Sequence, residues 1–431
     1  MQKICLLISI ILANLATFNC TLRLVIQQYR HGARGTYNGK YLGNTSEEDI
    51  YMEGELTPVG QRQHYVLGKH LREEYGDFLD ETFSQSQMYV RSININRTLQ
   101  SAQSQLYGLY PNGLGDVLPE NLNLEYTLPP YKGAQPIENI GDYSLPKGKQ
   151  NIQIHSMLKD YDPLLSPESA LICPNYQGLK KAFLSSDKYQ FLYAKIEKQM
   201  QVTVSKISTL LGQNLSIKDF PGLWDNIMCN VNAGLYVPEE LLPGYKLYND
   251  VNYVSNIHSF MYMDDLTLRK LANFNLINQY LKYLDSAYNG NTSFRWYMVS
   301  ASDTNLQYVM PLLNITSIDC IMEQYDSGTY SQLNCQQKPR FATSMMIELH
   351  ENDDMQDKVS DKYYVKIKFN GVYQNLCGQK NQYCAYTEFK QRIQNSMMSQ
   401  EEYDNTCGLS QQKPEQEQNW FQNFFNKYIF E

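Results

Sequence analysis

Two short polar runs have residue types and spacing suited to chemistry on an anion, and the first is Arg30-His31-Gly32-Ala33-Arg34. Arg30 and Arg34 flank His31 and concentrate positive charge, which is unfavourable unless an anion neutralises it. Gly32 lets the backbone turn closely around a bound group, because glycine has no Cβ. The run therefore predicts an anion-binding site.

The second run is Ser302-Asp303, and a third arginine, Arg97, stands apart from both runs. Each residue also has an ordinary structural explanation when it is taken alone. His31 is then a polar turn residue, Arg97 a partner in a surface salt bridge, and Asp303 the N-cap of a helix. The functional prediction depends on all of them lying together.

Three predicted strands would bring these residues together. Residues 22–28 alternate roughly between apolar and polar side chains, are rich in β-formers, and lead directly into the first run. Strands predicted at 87–90 and 295–301 lead to Arg97 and to Ser302. Because ligands bind beyond the carboxyl ends of strands in open α/β sheets, we expect the three segments to meet at one edge.

The rest of the chain alternates between α/β and helical patterns. Thr57 and Pro58 have the chemistry of a helix start, and Asn370-Gly371 is a strong hairpin signal after a strand. Further helices are predicted at 98–110, 186–211 and 260–287, and further strands at 345–350 and 363–369. This order indicates an α/β core that is interrupted by a helical insertion.

Composition argues against several classes of partner. The 431 residues are 42% hydrophobic and 19% charged, which is typical of a folded globular protein. The 37 basic and 45 acidic residues give a net charge of −8, so bulk charge does not favour nucleic acid or anionic membranes as partners. An anionic ligand must instead be held by a local cluster of cations.

The N-terminus has the layout of a secretory signal peptide. Lys3 precedes an apolar run at 4–12, which smaller and more polar residues follow at 13–17. The run is too short for a membrane-spanning helix, which needs about 20 apolar residues, and no second hydrophobic span follows. We therefore expect a signal peptide at 1–19 and a mature chain that is secreted or delivered to a lysosomal or vacuolar lumen.

The cysteines and glycosylation sequons fit the same route. Nine cysteines in a chain with a signal peptide favour disulfide bonds. Without Cys5 and Cys20 seven remain, so one thiol is free or pairs with Cys20. Asn-x-Ser/Thr sequons typical of a glycoprotein stand at Asn44, Asn96, Asn214, Asn291 and Asn314.

Several segments in order resemble the histidine acid phosphatases, a branch of the histidine phosphatase superfamily. RHGARG at 30–35 is similar to the RHGxRxP signature of that superfamily. The stretches at 54–79 and 88–111 closely resemble the prostatic and lysosomal acid phosphatases, and VSASDTNL at 299–306 stands where the family has its histidine–aspartate pair. The resemblance covers most of residues 22–407.

This resemblance implies a reaction that needs neither a metal nor another cofactor. His31 would be the nucleophile that attacks phosphorus, forming a phosphohistidine that water then hydrolyses. Arg30, Arg34 and Arg97 would bind the phosphoryl oxygens. Asp303, protonated at acid pH, would be the proton donor to the leaving alcohol. The substrates would be small phosphate monoesters.

The sequence departs from the family at two positions. Thr36 replaces the signature proline, and Ser302 replaces the histidine that donates a hydrogen bond to phosphate. Ser302 could bind substrate through its hydroxyl, but it is shorter and uncharged. Losing one preorganised donor typically costs about 10²–10³-fold in rate, so we expect a slow acid phosphatase. Two alternatives stay open: an inactive secreted relative that binds phosphate or another ligand, and a phosphatase specific for inositol phosphates or lysophospholipids.

The fold implied by pattern and resemblance together is α/β and similar to phosphoglycerate mutase. A mixed, mainly parallel central sheet would have helices on both faces. The core would comprise 20–145 and 289–431, with a helical cap inserted at 146–288. The active site would lie between core and cap, and a homodimer is an open possibility for the assembly.

The resemblance also implies how the cysteines pair. The expected disulfides are Cys173–Cys407 and Cys377–Cys384 by resemblance, and Cys320–Cys335 as a local pair. Cys229 is then left over. A bond from Cys229 to Cys320 or Cys335 is the alternative.

Overall fold

The computed structural model describes residues 20–37, 39–42, 52–135, 137, 140–291, 294–330, 333–352, 362–378 and 380–411. The expected signal peptide at 1–19 and the sequon at Asn44 lie outside these residues. The described strands form one sheet. They are β1 Cys20–Arg30, β2 Met88–Ser92, β3 Trp296–Ala301, β4 Ser344–Asn352, β5 Tyr363–Phe369, β6 Val372–Tyr373 and β7 Cys384–Ala385.

Helices connect and cover the strands. They are α1 Pro58–Tyr75, α2 Asn96–Leu109, α3 Tyr176–Leu184, α4 Asp187–Leu211, α5 Phe220–Ala233, α6 Lys246–Phe260, α7 Leu266–Tyr288, α8 Asp303–Leu312, α9 Ile318–Ser327, α10 Tyr386–Asn395 and α11 Gln400–Cys407. Among the described residues, no helix is both long enough and apolar enough to cross a membrane.

The sheet is mixed, as expected, but it is not mainly parallel. Its order is β2-β3-β1-β4-β5-β6, with β7 also paired to β5. Only β2–β3 and β3–β1 are parallel among the described strands, whereas the other four pairs are antiparallel. The short connections on both sides of β5 explain why it is antiparallel to β4 and to β6. The link between β4 and β5 spans 353–362, shorter than the roughly dozen residues that a parallel crossover needs, and Asn370-Gly371 turns β5 tightly into β6.

Helices pack on both faces of the sheet, which confirms that part of the expected fold. Successive side chains of a strand point to opposite faces. Leu24 and Ile26 of β1 therefore join the hydrophobic core that contains residues of α7 and α8. Val25 and Tyr29 join the core that contains residues of α1 and α2. Two cores thus fix β1 from both sides.

Local signals placed α1 correctly. The side chain of Thr57 accepts a hydrogen bond from the backbone N–H of Gly60 (3.1 Å), and Pro58 occupies the first turn. An N-cap bond of this kind satisfies a donor that the helix leaves free, and proline fits where its missing N–H costs nothing. The helix runs to Tyr75.

The region at 146–288 is helical, but its last helix packs on the sheet. The hydroxyl of Tyr280 in α7 donates to Oε1 of Gln28 in β1 (3.0 Å). We therefore group α7 with the core and propose that the cap ends before Leu266. The helix α6 was not predicted, because buried polar residues such as Asn252 and Asn256 interrupt its apolar face.

Candidate active site

The carboxyl ends of three parallel strands meet at one edge of the sheet. Arg30 at the end of β1 is in register with Ala301 at the end of β3, and Ser92 of β2 is in register with Ser300. The backbone N–H of His31 continues this pairing by donating to the carbonyl of Ala301 (3.0 Å). The structure therefore brings the two polar runs side by side at this edge.

The loop after β1 is held against the first turn of α1. A Cβ on Gly32 would lie 2.6 Å from Cα of Gly60, too close for any side chain. The backbone N–H of Ala33 donates to Oε1 of Gln63 (2.9 Å), and the hydroxyl of Thr57 donates to the carbonyl of Ala33 (3.0 Å). Gly32 is thus required for the packing of this loop against α1.

His31 is buried, with 2% of its surface exposed. Its Nδ1 lies 2.8 Å from the carbonyl oxygen of Gly32. A carbonyl can only accept a hydrogen bond, so Nδ1 carries the proton and Nε2 keeps its lone pair. Burial, and then the positive charges of Arg30 and Arg97, hold the pKa of His31 well below its usual value. The imidazole is therefore neutral.

Arg30 is fixed by the loop that precedes β4. One terminal nitrogen donates to the carbonyl of Pro339 (2.7 Å), and the guanidinium lies 4.4 Å from the ring centre of Phe341. The ring of Phe341 is also 6.0 Å from the His31 imidazole, centre to centre. The imidazole of His64 contacts the backbone carbonyl of Arg30 through Nε2 (3.1 Å). These contacts leave Arg30 little freedom.

Arg34 and Arg97 both contact the aromatic ring of Tyr37. The guanidinium of Arg34 is 4.2 Å, and that of Arg97 5.4 Å, from the ring centre of Tyr37. Arg34 also forms an ion pair with Asp225 in α5 (2.8 Å). Within the described part of the chain, the buried Nε atoms of Arg30, Arg34 and Arg97 have no hydrogen-bond partner. Three arginines with unused donors in one place form a ready anion site.

Asp303 begins α8 and faces two cations. Its Oδ2 lies 3.5 Å from Arg30 and 3.9 Å from Nζ of Lys338. Burial raises the pKa of Asp303, but the charges of Arg30 and Lys338 lower it by more, and the net pKa is well below the usual value. The carboxylate is therefore ionised, which differs from the expectation of a carboxyl group protonated at acid pH.

Ser302 is occupied by its own helix. Its hydroxyl and its backbone N–H both donate to Oδ1 of Asn305, at 2.8 and 3.1 Å. The amide of Asn305 in turn donates to the carbonyl of Leu165 (2.8 Å), which fixes its orientation. Ser302 is thus the N-cap of α8, and the structure gives its hydroxyl a helix-capping partner.

Two charged residues of the site were missed in the sequence. Asp225 lies in FPGLWDNIMCN at 220–230, a stretch in which no motif marks a functional residue. Lys338 lies in a loop without helical or strand pattern, so no local signal marks it. Both reach the cluster only because the chain folds back over long sequence distances.

The structure contains the three expected disulfides and, among the residues that it describes, leaves one thiol free. The pairs are Cys173–Cys407, Cys320–Cys335 and Cys377–Cys384. Cys229 is unpaired and buried, and its Sγ accepts from Arg34 at 3.4 Å. Burial, and next the charge of Asp225, raise the pKa of Cys229 to about 12. The leftover cysteine is thus a protonated thiol at the edge of the arginine cluster.

Comparison with known proteins places this geometry in a family. Residues 33–370 match the family model described as histidine phosphatase superfamily (branch 2). The chain belongs to the histidine phosphatase superfamily. The matched residues begin just after Arg30 and His31, so the assignment of those two residues rests on the motif and on the geometry above.

Acid phosphatases are among the relatives within this superfamily. The lysosomal acid phosphatase of Xenopus laevis is 26% identical over 302 residues, which cover 68% of this chain and 62% of the relative. The prostatic acid phosphatase of Bos taurus is 26% identical over 306 residues, 68% of this chain and 69% of the relative. The match thus spans less than two thirds of the lysosomal relative.

Solved structures of the superfamily share the fold. A Hafnia alvei phytase in complex with myo-inositol hexakis sulphate superposes with a TM-score of 0.62 at 14% identity, covering 91% of this chain and 99% of the phytase. The multiple inositol polyphosphate phosphatase of Bifidobacterium longum gives a TM-score of 0.57 at 10% identity, covering 90% and 95%. The α/β fold with helices around a mixed sheet is therefore confirmed.

Proposed function

We propose that this protein is an acid phosphatase that hydrolyses phosphate monoesters through a phosphohistidine at His31. The observation that carries the proposal is a neutral, buried imidazole that hydrogen-bonds through Nδ1 and lies within the fields of Arg30, Arg97 and Arg34. An imidazole that stays neutral at acid pH remains a nucleophile where an ordinary histidine would be protonated. Family membership and acid phosphatase relatives support the same reaction.

The arginines supply the charge that phosphoryl transfer needs. Catalysis of this reaction depends mainly on positioning and on stabilising charge spread over the phosphoryl oxygens. Arg30, Arg34 and Arg97 would each donate hydrogen bonds to those oxygens. No step of this scheme requires a metal, because the guanidinium groups take the role of Lewis-acidic cations.

Asp303 acquires its catalytic proton together with the substrate. The pKa of Asp303 is low because Arg30 and Lys338 face it. A phosphoryl group bound to the same cations would offset their field, and the pKa of Asp303 would rise. Asp303 could then protonate the leaving alkoxide and afterwards accept a proton from the attacking water.

The export route is part of the same proposal. Three disulfides fit an oxidising compartment, and relatives from Xenopus laevis, Rattus norvegicus and Homo sapiens carry the name lysosomal acid phosphatase. We propose a secreted or lysosomal location, with the sequons Asn96, Asn214, Asn291 and Asn314 as glycosylation sites.

Release of p-nitrophenol from its phosphate ester near pH 5 tests the proposal. The wild-type chain should turn over the ester, and quenching in alkaline denaturant, in which phosphohistidine is stable, should leave phosphate attached to His31. His31→Ala should abolish both signals. If the folded wild-type chain binds phosphate but releases no product, the inactive binding protein is the correct alternative. Phosphate attached to another residue would refute the nucleophile.

A further inference from the structure

We propose that Lys338 binds a phosphoryl oxygen and so takes the place of the histidine that Ser302 replaces. This inference rests on the proposed phosphatase function and adds a substrate-binding residue to it. The hydroxyl of Ser302 already donates to Asn305 at 2.8 Å. Ser302 therefore does not supply the missing donor, and the charge must come from elsewhere.

Lys338 lies where such a charge is needed. Its Nζ is 3.9 Å from Oδ2 of Asp303, and its side chain is only 16% exposed. At that distance the pair interacts by charge and is too long for a hydrogen bond. The next residue, Pro339, accepts a hydrogen bond from Arg30 at 2.7 Å. The loop that carries Lys338 thus also binds Arg30, and both cations face Asp303.

Helix α6 holds this loop in position. The backbone N–H of Lys338 donates to Oδ1 of Asn256, and the amide of Asn252 donates to Oε1 of Gln337 (2.9 Å). Asn256 is buried, and its amide donates back to the carbonyl of Asn252 (2.7 Å). A buried network of this kind specifies one backbone position. The backbone of Lys338 is therefore held in one position, from which the side chain reaches Asp303.

The charges around Lys338 favour an anion. Burial lowers the pKa of Lys338, Asp303 raises it, and Arg30 lowers it again. The ammonium of Lys338 lies near the guanidinium groups of Arg30 and Arg34. The two negative charges of Asp303 and Asp225 do not balance these three positive charges. A phosphate group would add the missing negative charge. Because lysine binds phosphate as a point charge, the ammonium of Lys338 can replace a protonated imidazole as the charged donor to phosphate.

The probe is inorganic phosphate. Its affinity is measured by calorimetry and by competitive inhibition of p-nitrophenyl phosphate hydrolysis. Lys338→Met should weaken phosphate binding about 10- to 100-fold, the range of a charge-assisted hydrogen bond. Lys338→Arg should stay within about threefold of wild type, because it keeps the charge. Lys188→Met, at a lysine that is 63% exposed and paired with Asp264, is the matched control and should change nothing.

Rescue separates a ligand contact from a structural role. Adding Ser302→His to Lys338→Met should restore most of the lost phosphate affinity, since a protonated imidazole then supplies the donor. Thermal unfolding shows whether each variant is folded. If Lys338→Met does not fold, Lys338→Gln is measured in the same way. Unchanged phosphate affinity in a folded variant, or no rescue by Ser302→His, would overturn the inference.

The outcomes also distinguish this inference from the proposed function. Turnover by the wild-type chain together with a phosphate affinity that does not depend on Lys338 refutes the lysine contact alone. Lys338-dependent phosphate binding without any turnover refutes the phosphatase alone and leaves the contact intact.

Discussion

Burial and neighbouring positive charges favour the neutral form of the His31 imidazole. Burial and the fields of Arg30 and Arg97 lower its pKa, so the neutral form persists as the pH falls through the usual imidazole value near 6.5. We expect the ring C–H signals of His31 in proton NMR to titrate well below that value. His31→Ala assigns the signals by their loss.

Arg97→Gln tests the cause of this shift. Removing one positive neighbour should move the titration of His31 to higher pH, while burial keeps it below the ordinary value. A His31 titration at or above 6.5 in the wild-type chain would contradict the neutral nucleophile.

Asp303 has a different role, which should appear in the choice of leaving group. Asp303→Ala should lower kcat for phosphate esters of simple alcohols by about 10²–10⁴-fold, the usual range of general acid catalysis. The loss should be smaller for p-nitrophenyl phosphate, because nitrophenolate leaves without a proton. Steady-state kinetics on the two ester classes measure the difference.

Ser302→Ala is the matched control for Asp303→Ala. It removes a hydroxyl that caps α8, so unfolding by denaturant should show a loss of about 1 kcal/mol in stability, with similar small effects on both ester classes. An equal loss for both ester classes in Asp303→Ala would contradict the proton donor.

At the scale of elements, the site depends on the contact between α1 and the loop after β1, residues 31–35. A Cβ on Gly60 would lie 2.7 Å from the backbone nitrogen of Ala33. Gly60→Ala should therefore push the loop away, cost about 1–3 kcal/mol of stability, and lower kcat on p-nitrophenyl phosphate. Denaturant unfolding and steady-state kinetics measure the two effects.

Gly178→Ala in α3 is the matched control for this prediction. No atom lies within 4 Å of a Cβ at Gly178, so the change should stabilise the protein by up to about 1 kcal/mol through helix propensity and leave kcat unchanged. If Gly60→Ala behaves like Gly178→Ala, the close approach of loop and helix does not matter for the site.

Across the whole molecule, local signals decided what the sequence could predict. The strand before His31 and the helix after Thr57 were correct, because alternation and capping are written in neighbouring residues. Lys338 could not be found in this way. Its position depends on Asn256 of α6, a helix whose buried polar residues conceal its pattern. The sequence does show the short connections around β5, but the antiparallel pairing of β1 with β4 joins strands that lie far apart in the chain, and no local signal marks it.

The C-terminal end of the described fold is held by long-range contacts to Cys173, Asn175 and Phe274. The disulfide between Cys173 and Cys407 joins residues separated by 234 positions, and the side chain of Asn175 donates to the carbonyl of Thr406 (3.1 Å). Tyr403 of α11 stacks on Phe274 with 4.2 Å between ring centres. Helix α11 is thus held by a covalent bond and by packing at once.

Removing this disulfide should destabilise the protein more than removing the short one. In the chain-entropy account, a loop of this length restricts the unfolded chain by about 5 kcal/mol, whereas a loop of 7 residues, as in Cys377–Cys384, contributes about 2 kcal/mol. We expect the double variant Cys173→Ser with Cys407→Ser to unfold at clearly lower guanidinium concentration than Cys377→Ala with Cys384→Ala. Activity of the folded fraction should persist in both, because neither bond contacts the arginine cluster. Equal losses in the two variants would show that packing, such as the Tyr403–Phe274 stack, holds α11 without the covalent link.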